Sequence, residues 1–263
     1  MVLRIFRRLA LAAGFAMLQA GFAHADIKIG LVAEPYPPFT SKDAAGKWVG
    51  WEIDVLEAAC KVMNEKCDYV EIAWDGLIPS LQSRTIDVIW SSLSITADRR
   101  EVIDFSVPYY SSVMFVVGPK NGDPDVTAAH LADKIFGVPG GGPEEKYATV
   151  IYGQAGAKIK VYPTQDETNG DLVSGRIDYT VGGASAMQRL LSTAEGGACC
   201  EHKADVDDPE IVGEGMGAGI RKGDTALKAK LDAAIAELAR SGELERITAN
   251  HPELKGTIKT PKP

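Results

Sequence analysis

Residues 71–100 bring an aromatic ring, a serine cluster and an arginine pair close together: Trp74, then Ser91, Ser92 and Ser94, then Arg99 and Arg100. A guanidinium offers a fixed fork of donors that a planar carboxylate matches with two parallel hydrogen bonds. Serine hydroxyls and the N–H groups beside them complete such a shell. Serines in a turn also cap the helix that follows, here one beginning near Asp98. Aromatic faces such as those of Trp74 and Tyr36 hold alkyl chains by contact and cations through the ring quadrupole. Nothing in the stretch pairs a nucleophile with a base, and no metal-ligand spacing occurs. Beyond residue 25 the histidines are His130, His202 and His251, all in segments expected at the surface. The chemistry on offer is that of holding a small polar molecule, with no metal and no cofactor.

The elements that carry these groups belong to an exported chain. Arg4, Arg7 and Arg8 precede a mostly apolar run from Leu9 to Leu18, and Ala23-His24-Ala25 is a small-x-small cleavage site. The run is too short to span a bilayer comfortably. The expected mature chain starts at Asp26 in the periplasm. The formal charge is −8, and losing the leader arginines makes it more acidic, which argues against nucleic acid or an anionic membrane as partner. Apolar residues make up 45%, enough for a packed core and against disorder. Cys60 and Cys67 stand at a helix end and a strand start, where an exported protein forms a disulfide; two buried thiols are the alternative. Cys199 and Cys200 are adjacent. A ring between neighbours is strained, zinc with His202 has the wrong spacing, and their state stays open.

Strands and helices alternate along the chain, which predicts an open α/β sheet. "DIKIGLV" alternates before the Pro35-Tyr36-Pro37-Pro38 loop stops it. Ile53, Leu56, Ala59, Cys60 and Met63 recur at the 3.6 period of a helix, "CDYVEIAW" reads as a strand, and "WDGLIPSLQ" as a short helix. A second α/β unit starts past "MFVVGPKNGDP", with a strand ahead of the glycine turn at 140–142. Near the end, "EIVGEGMGAGIR" reads as a strand. It leads through a turn at Lys222-Gly223-Asp224 to a helix with the apolar stripe Leu227, Leu231, Ala234, Ile235 and Leu238. "DVIWSSLS" and "DYTVGGAS" look alike. They read as the same strand-end loop in two similar lobes that share a cleft, and ligands in open α/β sheets sit beyond the carboxyl ends of strands.

These stretches resemble the periplasmic solute-binding proteins for polar amino acids that feed ATP-driven (ABC) importers, in particular the lysine/arginine/ornithine, histidine and opine binders. The resemblance rests on "YPPF", "GWEID", "WDGLIPSL", "DVIWSSLSITADRR", "FSVPY", "GRID" and "GAGIRKGD", in that order, and covers essentially all of 26–250. It implies the type II two-lobed periplasmic-binding-protein fold, each lobe an open α/β sheet with the ligand in the cleft. Lobe 1 would be 26–114 plus 214–263, the inserted lobe 2 would be 119–210, and hinges would lie near 115–118 and 211–213. Function would be capture by closure: a ligand that bridges both lobes stabilises the closed state. The implied partners are the membrane permease subunits of an ABC importer and a small molecule with a carboxylate and a cationic group. A monomer is expected. A ligand-sensing partner of a receptor is a further role open to such a chain.

The resemblance makes Arg99 the grip on the ligand carboxylate, with Ser92 and Ser94, and with less weight Ser91, completing its shell. Trp74 and Tyr36 become aromatic walls, and Trp90 falls to the core. Glu34 is two residues before Tyr36, where relatives carry an acid three before; it is expected to face a distal cation. The second lobe departs from the pattern. Gly183 stands where the amino-acid binders place an aspartate for the α-ammonium, and Gly142 and Pro143 stand where their glycine turn, here including Gly141, brings a hydroxyl. Glu144 occupies a position where glutamine is common. Asp178 is expected to be structural, with Asp87 its equivalent. A desolvated ammonium without a carboxylate is costly. Either Glu144 supplies the acid, or the ligand is an N-substituted, betaine-like, guanidino or opine-like compound with room at Gly182 and Gly183. The same scaffold resembles periplasmic cyclohexadienyl dehydratases, for which Glu34 or Glu144 would be the general acid.

Overall fold

The computed structural model describes residues 26–206 and 208–262. The expected export signal over 1–25 lies outside the described residues. Two five-stranded sheets form the frame. In the first, the order is Cys67–Ile72, Ile27–Val32, Val88–Ile89, Gly219–Arg221, Ile103–Phe105, with the first two pairings parallel and the last two antiparallel. In the second, the order is Lys158–Tyr162, Ile135–Pro139, Tyr179–Gly183, Met114–Pro119, Cys200–Val206, with the same alternation of parallel and antiparallel pairs.

The repeat read from "DVIWSSLS" and "DYTVGGAS" has a shared cause. The carboxylate of Asp87 accepts from the Lys28 N–H (3.0 Å), and that of Asp178 accepts from the Ile135 N–H (2.8 Å). Each acid starts the third strand in its sheet's order by tying it to the second, its parallel neighbour. Parallel strands buried on both faces need helices on both sides, and each sheet has an apolar cluster on either side. The helix Trp51–Met63 buries Trp51, Ile53, Val55, Leu56, Ala59 and Cys60 and packs against Thr225–Arg240. Trp90 is fully buried, stacked on Tyr109 at 4.4 Å, with its indole N–H donating to the Glu52 carbonyl.

The backbone passes from the first sheet to the second over 106–113, ahead of the expected 115–118, because Met114–Pro119 is already an inner strand of the second sheet. It returns through the helical turn Pro209–Val212 and Gly213, whose φ of +91° suits glycine. The strand expected over "EIVGEGMGAGIR" is therefore confined to Gly219–Arg221. Cys200–Val206 was not foreseen as a strand. Its charged, half-exposed sequence gives no apolar alternation, and it is held as an edge by antiparallel pairing with Met114–Pro119. Cys60 and Cys67 are bonded, and so are Cys199 and Cys200, where the strain of a ring between neighbours had left the pairing open.

Candidate ligand-binding site

A cavity of about 150 Å³ lies between the carboxyl ends of the two sheets. Its first wall comes from the loop after Ile27–Val32. The prolines cannot extend the strand, and the chain turns so that Tyr36 N–H donates to the Thr40 carbonyl at 2.7 Å. Tyr36 stacks on Phe39 (centroids 5.3 Å), and Phe39 stacks on Tyr110 (5.1 Å). Opposite stands Trp74, at the start of a helical turn whose first N–H donates to the Glu34 carboxylate at 3.3 Å. Glu34 thus lines the cavity while anchoring Trp74.

The serine turn divides its labour. Ser91 Oγ is buried, accepts from Val32 N–H at 2.9 Å and lies 3.4 Å from the Gly30 carbonyl, so it locks the strand pair. Ser92 sits at φ +49°, a left-handed conformation unusual for a residue with a Cβ. Glu52, fully buried, holds it there: its carboxylate takes the Ser92 N–H at 2.5 Å and the Ser92 hydroxyl at 3.0 Å, and accepts from the Tyr109 hydroxyl. Ser92 in turn accepts from the Tyr110 hydroxyl at 2.8 Å. Desolvation pushes the Glu52 carboxyl pKa up, against the lowering by these donors. The helix Ala97–Val102 is capped by Thr96 rather than by the serines, its hydroxyl accepting from Arg99 N–H at 3.4 Å. Ser94 lines the cavity, and its carbonyl accepts from Arg99 Nη1 at 2.9 Å.

Arg99 reaches the other half. Its Nη2 donates to the Gly141 carbonyl at 3.0 Å, and its guanidinium lies 5.5 Å from the Trp74 ring centroid. A Cβ at Gly141 would stand 2.9 Å from Trp74 Nε1, and φ there is +72°, so this close approach requires glycine. Glu144 folds back over Gly142, where a Cβ would lie 2.4 Å from its Oε2. Desolvation raises the Glu144 carboxyl pKa, opposed by the positive charge of Arg99. Burial depresses the Arg99 pKa, opposed by Glu144 and Asp98.

Glu34, Tyr36, Trp74, Ser91, Ser92, Ser94, Gly142, Glu144 and Gly183 all line this cavity; Arg99 and Gly141 bond one another beside it. Of the room expected at the paired glycines, that at Gly182 is filled, while Gly183 lines the cavity with one close neighbour. A Cβ at Gly182 would meet Met187 Cε at 2.7 Å, and one at Gly183 would meet the Tyr36 hydroxyl at 3.0 Å. Sequence reasoning missed Phe39, Tyr110, Ser112, Met114, Gln165 and Ser185, which also line the cavity. It missed Glu52 too, although an acid between Trp51 and Ile53 on the inward face of an amphipathic helix was a legible signal. His130, His202 and His251 lie outside the lining. Among the described residues no group of His, Cys, Asp and Glu is placed to hold a metal ion, and no helix is long and apolar enough to cross a membrane.

The arrangement provides a desolvated carboxyl and stacked rings around one cavity, with a forked cation beside it. The family described as bacterial extracellular solute-binding proteins, family 3, matches residues 27–252. The L-arginine-binding protein of Pseudomonas aeruginosa is 35% identical over 239 residues, covering 90% of this chain and 92% of that one. The histidine-binding periplasmic protein of Salmonella typhimurium is 36% identical over 251 residues, covering 92% and 94%. Among solved structures, an ancestral arginine-binding protein bound to arginine superposes with a TM-score of 0.76 at 30% identity, covering 86% of this chain and 97% of its own.

Proposed function

Because the chain belongs to family 3 of the bacterial extracellular solute-binding proteins, we propose that it is the periplasmic substrate-binding component of an ABC importer. Its ligand is a cationic or polar amino acid, or a modified derivative of one, captured by closure of the two halves. The observation that carries this reading is the position of Arg99, which stands between the two halves with N–H groups bonded to Ser94 on one side and Gly141 on the other. A guanidinium has five N–H donors, so a ligand carboxylate can still be received at the same place. Glu144 is the counter-charge for a ligand cation, Tyr36 and Trp74 are the walls for its chain, and Ser94 offers the free hydroxyl of the serine turn. Ser91 and Ser92 act indirectly, by shaping that turn. Gly183 lines the cavity beside the Tyr36 hydroxyl, so a substituent on the ligand amine has little room between those two residues. The basic and then apolar residues of 1–25, with cleavage after Ala25, serve delivery to the periplasm.

Mass analysis of what leaves the natively exported protein on denaturation, followed by calorimetry with arginine, ornithine, histidine and N-substituted arginine, tests the assignment. Binding of one of these supports it; failure of all carboxylate-bearing cations to bind overturns it. One observation favours a second reading. A desolvated carboxyl inside a cavity, as at Glu144, also suits a general acid of the dehydratase kind, and turnover of a cyclohexadienyl substrate by the wild type but not by Glu144→Gln would establish it.

A further inference from the structure

We infer that Thr257 is a positioning residue that makes one wall of the cavity an acceptor of N–H groups, so that the ligand carries an N–H donor there and is not a quaternary ammonium. A hydroxyl has one proton to give and two lone pairs to offer. Thr257 Oγ1 lies 3.0 Å from the Leu254 carbonyl, which can only accept, so the Thr257 proton is committed there. The Ser185 hydroxyl lies 2.7 Å from Thr257 Oγ1 and must donate to it. Ser112 Oγ lies 3.0 Å from the Val113 carbonyl and 3.1 Å from the Thr257 carbonyl, so its proton is spent as well. Ser112 and Ser185 line the cavity, while Thr257 stands behind them. What both serines have left for the cavity is lone pairs. Gln165, a third lining residue, turns its amide nitrogen to Asn169 Oδ1 at 3.1 Å, which leaves its Oε1 as a further acceptor. Thr257 is 2% exposed and Ser185 5%, so water does not compete for the bond between them. The turn that carries Thr257 is fixed by Leu254, buried in a core of the first half, and by Ile258–Lys259, which pairs with Ser111–Ser112.

Such a wall sorts ligands by what their nitrogen carries. A primary or secondary amine, a guanidinium or an imidazole N–H satisfies the lone pairs. A trimethylated nitrogen has the same charge but no proton to give, and it leaves the acceptors unpaired. Glu144 attracts both kinds of cation, so the neutral acceptors make the distinction. Thr257 acts only through the serines. Without its hydroxyl, Ser185 has no acceptor behind it, and its proton is free to turn to the cavity, where a donor then faces the ligand N–H.

The inference rests on the proposed binding site, and its test separates the two. Calorimetry on the full mature chain uses L-arginine, L-histidine and γ-butyrobetaine, which has a carboxylate and a cation but no N–H. Ser185→Ala should weaken the amino acid that wild type binds about 10-fold, the scale of a hydrogen bond to a charged group, and leave the weaker binding of the betaine unchanged. Thr257→Val, which keeps the shape and removes the hydroxyl, should cost a similar factor. Thr257→Ser should restore wild-type affinity, and Thr257→Val should add nothing once Ser185 is replaced by alanine. Betaine binding equal to that of the amino acid, no loss in Ser185→Ala, or additive losses in the double variant overturns the inference. Neutron diffraction from deuterated wild type without ligand reads the polarity directly. A deuteron on Ser185 Oγ directed at Thr257 supports the inference, and one directed into the cavity overturns it whatever the ligand is. If neither amino acid binds while that deuteron points to Thr257, the acceptor wall stands and the ligand assignment falls.

Discussion

The Tyr36 hydroxyl, carried by the first half, lies 3.0 Å from the place a Cβ on Gly183 of the second half would occupy. Both residues line the cavity. A side chain at 183 therefore pushes against a ring that is itself stacked on Phe39. Gly183→Ala should weaken ligand binding by about 1 kcal/mol, the lower end of overpacking penalties. Tyr36→Phe, which removes the oxygen and keeps the ring, should relieve most of that loss in the double variant. Calorimetry on the four proteins checks this; a double variant as weak as the sum of the singles would show that the two do not meet.

Arg99→Ala should reduce affinity for a carboxylate ligand by roughly 2–5 kcal/mol, since it leaves a desolvated anion short of donors. Arg99→Lys should recover little, because an ammonium cannot reproduce the fork that spans Ser94, Gly141 and the ligand. Unchanged binding of every ligand by Arg99→Ala would remove it from the site.

Burial raises the Glu144 carboxyl pKa above the ordinary value of 4.5. A bound cation needs the carboxylate and pulls the pKa back down. Affinity for a cationic ligand should therefore rise with pH through the raised value of the free protein and level off above it. Titration from acid through neutral pH should show this inflection in wild type and lose it in Glu144→Gln.

The raised pKa of Glu52 acts on folding with the opposite dependence on pH. Its pKa is raised by burial, so its contribution to stability is fully present below the unfolded-chain pKa and is lost as pH rises through the folded value. Glu52→Gln should flatten that dependence. Glu52→Ala should cost about 2–3 kcal/mol or more, leaving the Ser92 N–H and the Tyr109 hydroxyl without their acceptor. Denaturant unfolding across pH distinguishes the two.

Cys60 and Cys67 tie the last turns of a helix to the edge strand beside it. Replacing both with serine should destabilise the chain by roughly 2–4 kcal/mol, read as a lower denaturation midpoint. With Cys199 and Cys200 also bonded, unfolded, unreduced protein should titrate no thiol.

The sequence by itself determined what each local segment does. Period-3.6 apolar residues placed the helix Trp51–Met63, prolines ended the first strand, and the paired Asp87 and Asp178 announced two sheets of one pattern. The types of group at the cleft were legible too, because a forked cation, acids and rings have a chemistry independent of where they stand. Tertiary structure alone decided how those groups share their bonds. Ser92 reads as a ligand hydroxyl until Glu52, 40 residues earlier, is seen to take its N–H and its Oγ. Gly183 reads as open volume until Tyr36 closes on it. Arg99 reads as a free fork until Gly141, 42 residues later, accepts one of its donors. Periodicity and turn chemistry act over a few neighbouring residues. The distances across the cleft are set by how two separately packed cores lie on the crossings between them, and no local pattern encodes that.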